Sequence, residues 1–355
     1  MLTRGWLEVG LAALLRNAAA VSERAGVPLI PMIKADAYGL GAVQVARALE
    51  SIEPLAYGVA TVDEGEELRS AGILRPVIVF TPLLEEDFDA AEAAALTPTL
   101  GTPEGIIRWA KTGRPYELSI DTGMARAGVP WREIGSLVET LETHPPEGAY
   151  THFHSANLPD SSMNEQEKRF DAAVAMLRTR PRILHTDASA AIARHGRSRW
   201  DAVRPGIFLY GAGSGEGARI VPESVISMKA PIVETRWVEP GDSVSYEAAW
   251  TATARRRIAT IAAGYADGYP RAAGERGYGV VRGQRVPIAG RVTMDMIMLD
   301  VTDTGAETGD AVTLIGDSRE PGAPADVSAV AELAGMSTYE VLTGLRGRLR
   351  RTYRG

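Results

Sequence analysis

Between about residue 29 and residue 210 the chain repeats one alternation, a short apolar run followed by a segment with helical periodicity. The runs are LIPMIK (29–34), AYGVA (56–60), VIVF (77–80), LTPTL (96–100), YELSI (116–120), AYTHF (149–153), ILHT (183–186) and AVRPG (202–206). Between them lie segments such as GAVQVARALES, DEGEELRSAG and NEQEKRFDAAVAMLRTR, with helical spacing and polar faces. Eight strands with intervening helices predict a closed (β/α)8 barrel, an α/β fold. An open doubly wound sheet also alternates, but it carries a glycine-rich fingerprint after its first strand. GLG at 39–41 is too short for one.

After about residue 220 the pattern changes. SVISMKAPIVETRWV, DSVSYEAAWTA, RRIATIAAGYADGYPR, YGVVRGQRVPIAGRV, MDMIMLDVT and GDAVTLIG are strand-like and broken by glycine and proline turns. Helical spacing returns only in ADVSAVAELAG and TYEVLTGLRGRLRR. This predicts a barrel over 10–220 and a β-rich second domain over 221–355, which the early strand of residues 1–9 joins. A chain of 355 residues, 45% hydrophobic, is long enough for both.

Composition narrows the function. The absence of cysteine excludes disulfides, thiolate catalysis and cysteine-ligated metals. A net charge of −7 argues against nucleic-acid binding. The basic stretch LRGRLRRTYR at 345–354 reads instead as a solvated helix end. MLTRGWLEVGLAALLRNAAA has the outline of a signal peptide, but Glu8 and Arg16 interrupt it, and an amphipathic helix fits better. No stretch is long enough to cross a membrane, so a cytoplasmic protein is expected.

Of 38 basic residues only Lys34, Lys111, Lys168 and Lys229 are lysines. A lysine at the end of the first apolar run, before a glycine-punctuated turn, is therefore a candidate for amine chemistry that arginine cannot perform. Barrel active sites lie at the C-terminal strand ends, where Lys34, Asp121, His152, His154, His185 and Arg204 are expected. Ser189 at a helix start and the RPG of 204–206 offer phosphate donors, although Ser189 alone could simply cap its helix. The alternating HFH of 152–154, with Asp121 and His185, also permits a metal-dependent hydrolase. That reading leaves Lys34 without a role.

The strings IKADAYGLG, DTGMARAGV, THFHSAN, DASAA, VRPGIFLYG, VSYEAAW, GYADGYPR and GRVTMD resemble, in order and over nearly the whole chain, the motifs of the alanine racemases. The resemblance implies a barrel plus β domain and dependence on pyridoxal 5′-phosphate (PLP). It implies racemisation of L- and D-alanine, supplying D-alanine for peptidoglycan. Lys34 matches the lysine that carries PLP. Tyr38, Ser189, Gly206, Ile207 and Tyr353 match phosphate-binding positions, and Arg204 the residue facing the pyridine nitrogen. A guanidinium does not readily yield a proton, so that nitrogen is expected to stay unprotonated.

Racemisation needs a proton removed from one face of the α-carbon and returned to the other, and Lys34 and Tyr246 match the two bases. A phenol ordinarily titrates near pH 10, at about that value, and needs support; His152 matches its hydrogen-bonding partner. His185 matches a support for Arg204, and Arg126 and Met294 match carboxylate-holding positions. By the resemblance Tyr246, Tyr265, Met294 and Asp295 come from a second subunit, so a homodimer with composite sites is implied. No metal, nucleic acid or membrane partner is expected. A broader-specificity racemase of the same fold, or a PLP-binding protein without chemistry, are the alternatives.

The chain also departs from the family pattern. Ser119 stands where the family often has a carbamylated lysine, so Arg126 must be held otherwise. Glu247 stands where glycine is common, Trp250 where another tyrosine is common, and Asn157 where some members carry an acid at the substrate entry.

Overall fold

The structure is a computed structural model that describes residues 4–213, 215, 217–274 and 276–355. Seven parallel strands stand side by side in chain order: Tyr57–Val59, Val77–Val79, Thr97–Leu100, Glu117–Asp121, Gly148–Tyr150, Ile183–Ala188 and Ala202–Arg204. Their central residues are buried on both faces, as parallel strands sheathed by helices require. The ring is completed by residues 29–33. These bond to Val203 and Pro205 on one side and to Gly58 on the other. The arrangement is the expected barrel, with its first strand reduced to two bridges, at Leu29 and Met32. Pro31 lacks an N–H to donate, which keeps the segment from pairing regularly.

The second layer is an antiparallel sheet built around Ile226–Val238, which pairs with Trp6–Gly10, Arg256–Ile261 and Ala311–Ile315. Val327–Ala334 and Thr338–Gly344 are the two short helices, and both start on side-chain caps, Asp326 and Ser337. Trp6–Gly10 precedes the barrel but bonds to this sheet.

Two expectations are corrected. The basic stretch 345–354 is not a helix end; Arg350–Arg354 is a strand running parallel to Trp6–Gly10. Its cations meet fixed acids: Arg351 pairs with Asp36 at 2.6 Å and Arg354 with Glu8 at 2.7 Å. The pairing partner lies at the other end of the chain, out of reach of any local reading. Lys34 does not close a strand either. It opens the turn Lys34–Gly39, in which Ala35, Asp36, Ala37 and Tyr38 all have φ between 51° and 56°.

Candidate active site

Four successive non-glycine residues in the left-handed region cost roughly 1–2 kcal/mol each. Specific bonds hold them there. The Glu64 carboxylate accepts from the backbone N–H of Ala35 and of Ala60, both at 2.7 Å. Asp36 accepts from Ala42 N–H at 2.8 Å and is clamped by Arg351. Gly41, at φ 101°, lets the chain pass under Tyr353, whose hydroxyl a Cβ would meet at 2.1 Å. The turn thus fixes Lys34 at the C-terminal mouth of the barrel.

Lys34 lines a cavity of about 560 Å³ together with Tyr38, Arg126, His152, Ser189, Arg204, Gly206 and Ile207. Among the described residues none forms a hydrogen bond or ion pair with its amine. Burial, then the positive charge of Arg126, hold that amine below the ordinary lysine value, with Glu64 opposing and Arg204 adding to the effect. Replacing Arg126 by glutamine removes a cation. The amine should then titrate at higher pH, and PLP uptake by the apoprotein at neutral pH should slow. The check is the pH profile of that uptake rate in both proteins; an unmoved or lowered inflection contradicts the assignment.

Arg204 forms the floor. It is 3% exposed, and its guanidinium donates to the carbonyls of His185 (2.7 Å), Thr151 (2.7 Å) and Thr186 (3.0 Å). It also donates to Nδ1 of His185 at 2.6 Å and approaches Nδ1 of His152 at 3.4 Å. The rings of Tyr150 and Phe80 lie 5.0 and 5.8 Å away, within cation–π range. Burial lowers its pKa to about 10, so it remains charged at neutral pH. Both histidines are thereby kept neutral. Burial and then Arg204 push His152 down to about 3, and the same two causes take His185 well below its usual value.

These contacts take apart the metal alternative. Both ring nitrogens of His185 are engaged, by Arg204 and by Glu117 Oε2 at 3.0 Å. Asp121 is occupied by the N–H groups of Gly123 and Ala125, and His154, although it lines the cavity, engages Ser155 Oγ through Nδ1. Among the described residues no three His, Cys, Asp or Glu side chains gather to hold a metal ion.

The donor set fits PLP. The Ser189 hydroxyl accepts from Gly206 N–H at 2.9 Å and from Phe208 N–H at 3.3 Å. Its own proton is therefore left to donate to an acceptor in the cavity. Tyr38 Oη stands where a Cβ on Gly206 would fall, 2.4 Å away, so only glycine keeps that corner open. An unpaired amine, a fixed guanidinium and two hydroxyls converge on one space. Ile207 is packed beneath it, and Tyr353 does not line it but hydrogen-bonds Leu40 O at 3.0 Å, bracing the Lys34 turn from below.

The remaining expected residues lie elsewhere on the chain. Tyr246, Met294 and Tyr265 are 71%, 52% and 41% exposed on the second domain and do not line the cavity. Asp295 is held by Arg348 at 2.7 Å. Glu247, where glycine is common, has φ 60°, so the left-handed conformation is kept without glycine and the side chain pairs with Arg291. Arg126 is exposed at the rim, and Ser119 is buried against Gly128. Asn157 lines the cavity. Sequence reasoning missed Glu64, Glu117, Tyr150 and Tyr339, the last lining the cavity beside the Tyr38 ring. Of these only Glu117 gave a signal, as an acid inside an apolar barrel strand.

The chain matches the profile of the alanine racemase N-terminal domain over residues 9–214 and of the alanine racemase C-terminal domain over 225–353. It is 38% identical to the alanine racemase of Geobacter sulfurreducens, over 98% of this chain and 96% of that one. Its fold is similar to alanine racemase from D-cycloserine-producing Streptomyces lavendulae (TM-score 0.91, 29% identity, 100% and 98% of the chains). It is also similar to alanine racemase from Bartonella henselae with covalently bound pyridoxal phosphate (TM-score 0.88, 26% identity, 99% of each chain).

Proposed function

The chain belongs to the alanine racemase family of PLP-dependent isomerases, and on that premise we propose that it interconverts L- and D-alanine with two bases, Lys34 and the Tyr246 of a second copy. The observation that carries the reading is the unpaired, desolvated Lys34 amine in a cavity walled by Arg126 and Arg204. PLP, when bound, withdraws electrons from the substrate and acidifies its α-hydrogen. Lys34 would carry the group, Ser189 and Tyr38 would hold its phosphate in the corner that Gly206 leaves open, and Arg204 would face its ring nitrogen.

The chain's own groups then do the rest. Arg126 attracts the substrate carboxylate at the rim. Lys34, its pKa lowered by burial and then by Arg126, takes or returns the proton at one face of the α-carbon. Tyr246 serves the other face. Its 71% exposure, away from its own cavity, supports a site completed across a dimer. His152, kept neutral, is able to hydrogen-bond the phenol. A cytoplasmic supply of D-alanine for peptidoglycan is the physiological reading that goes with this chemistry.

Composite sites make a specific result. Chains carrying Lys34→Ala and chains carrying Tyr246→Phe, each inactive alone, are co-expressed with different tags. Mixed dimers hold one intact site and one doubly defective site, so random pairing should restore about a quarter of wild-type activity. No recovery in isolated mixed dimers would place both bases on one chain.

A further inference from the structure

A chain of polar groups runs through the barrel from the Arg204 floor to its opposite end. Arg204 Nη1 donates to His185 Nδ1 at 2.6 Å, so His185 carries its hydrogen on Nε2. That hydrogen points to Glu117 Oε2 at 3.0 Å. His185 is neutral, so this is a hydrogen bond rather than an ion pair. The ring is fixed by stacking on Tyr150, with centroids 5.4 Å apart and planes 10° from parallel. Glu117, 2% exposed, also lines a second cavity of about 510 Å³. Ala56, Pro76, Thr97 and Arg182 line it too, all at or just before strand starts, so it opens at the barrel end away from Lys34.

The sequence makes room for this carboxyl. Gly148 pairs directly with Glu117 in the neighbouring strand, and a Cβ there would come within 2.3 Å of Oε2 and 2.5 Å of Oε1. Glycine inside a strand weakens it, and its presence commonly marks a close approach of this kind.

We propose that Glu117 is a positioning residue that exchanges its proton with solvent through the far cavity and, through His185, sets how strongly Arg204 is held at the PLP floor. The inference rests on the reading of Arg204 given above. When Glu117 loses its proton to water in that cavity, it accepts more strongly from His185 Nε2–H. The imidazole becomes more electron-rich and accepts more strongly at Nδ1 from Arg204. No other bond changes. Burial raises the Glu117 pKa to about 8, with Arg204 and Arg182 lowering it and Glu147 raising it. Arg114 also lines the cavity, and Tyr150 and Asp187 face Arg204. The switch therefore falls near the physiological range.

The chain has five histidines, so selective 15N-histidine labelling of the PLP-loaded protein gives a small set of ring signals. The His185 signals and the PLP visible absorption should step together with a midpoint near the Glu117 value, without protonation of the ring. Glu117→Gln, which keeps an acceptor but cannot titrate, should lose both steps. Arg182→Gln should move the midpoint up and Glu147→Gln should move it down. Both lie on the far rim, paired with each other at 2.5 Å, and test the idea even if Glu117→Gln does not fold. A step that survives Glu117→Gln, or a midpoint unmoved by both rim variants, overturns the proposal. The ring signals are read without substrate and with or without PLP, so a failure to racemise alanine is a separate result.

Discussion

Lys34→Ala is expected to lower racemisation by at least about a thousandfold, since in the proposed scheme it removes both the attachment point for PLP and one of two bases. The same substitution should leave the apoprotein as stable as wild type, or slightly more so. Lys34 forms no hydrogen bond or ion pair among the described residues, and its charge is desolvated beside two guanidinium groups. An amine held for packing would behave in the opposite way, with activity spared and stability lost. Denaturant unfolding of apoprotein, beside the rate of D-alanine formation, separates the two. Activity within tenfold of wild type would remove Lys34 from the mechanism.

Tyr246→Phe is the second large effect, and it is informative because it should be asymmetric. In the proposed scheme, loss of the phenol removes the base on one face only, so racemisation should fall by about 10²–10⁴-fold. The Lys34 face keeps its base. Exchange of the α-hydrogen with D₂O should therefore persist for one alanine enantiomer and nearly vanish for the other. Equal retention for both contradicts two bases on two faces. The exposure of Tyr246 makes a folding artefact an unsuitable explanation, since a 71% exposed side chain contributes little to packing.

Much of this site is legible in the sequence because barrel topology gathers residues by strand order. Arg204 falls at a strand end and His152 just beyond one, and the closed ring brings them to one mouth; His185 lies inside its strand Ile183–Ala188, below the mouth, where it reaches Arg204. Local pattern fails where distant contacts decide. Nothing in KADAY marks a left-handed turn, because Ala35 to Tyr38 include no glycine. The Glu64 carboxylate that pins it belongs to a later helix, Val62–Ser70, beyond the strand Tyr57–Val59. The tail 350–354 pairs with residues 6–10, and in isolation its arginines resemble a helix terminus. Glu117 sits in YELSI as one acid among apolar neighbours. Its importance depends on Gly148 and His185 in two other strands. Tyr246, Met294 and Tyr265 show the converse: their sequence strings are distinctive, yet in one copy of the chain they face outward.

The most direct measurement is incubation of the purified, PLP-loaded protein with L-alanine in D₂O. D-alanine is followed by chiral chromatography and α-carbon deuteration by NMR, with Lys34→Ala as the control. The account predicts D-alanine that carries deuterium at the α-carbon, absent in the control. PLP uptake through Lys34 with neither deuteration nor D-alanine would contradict it, and would make the chain a PLP-binding protein or an enzyme for another amino acid.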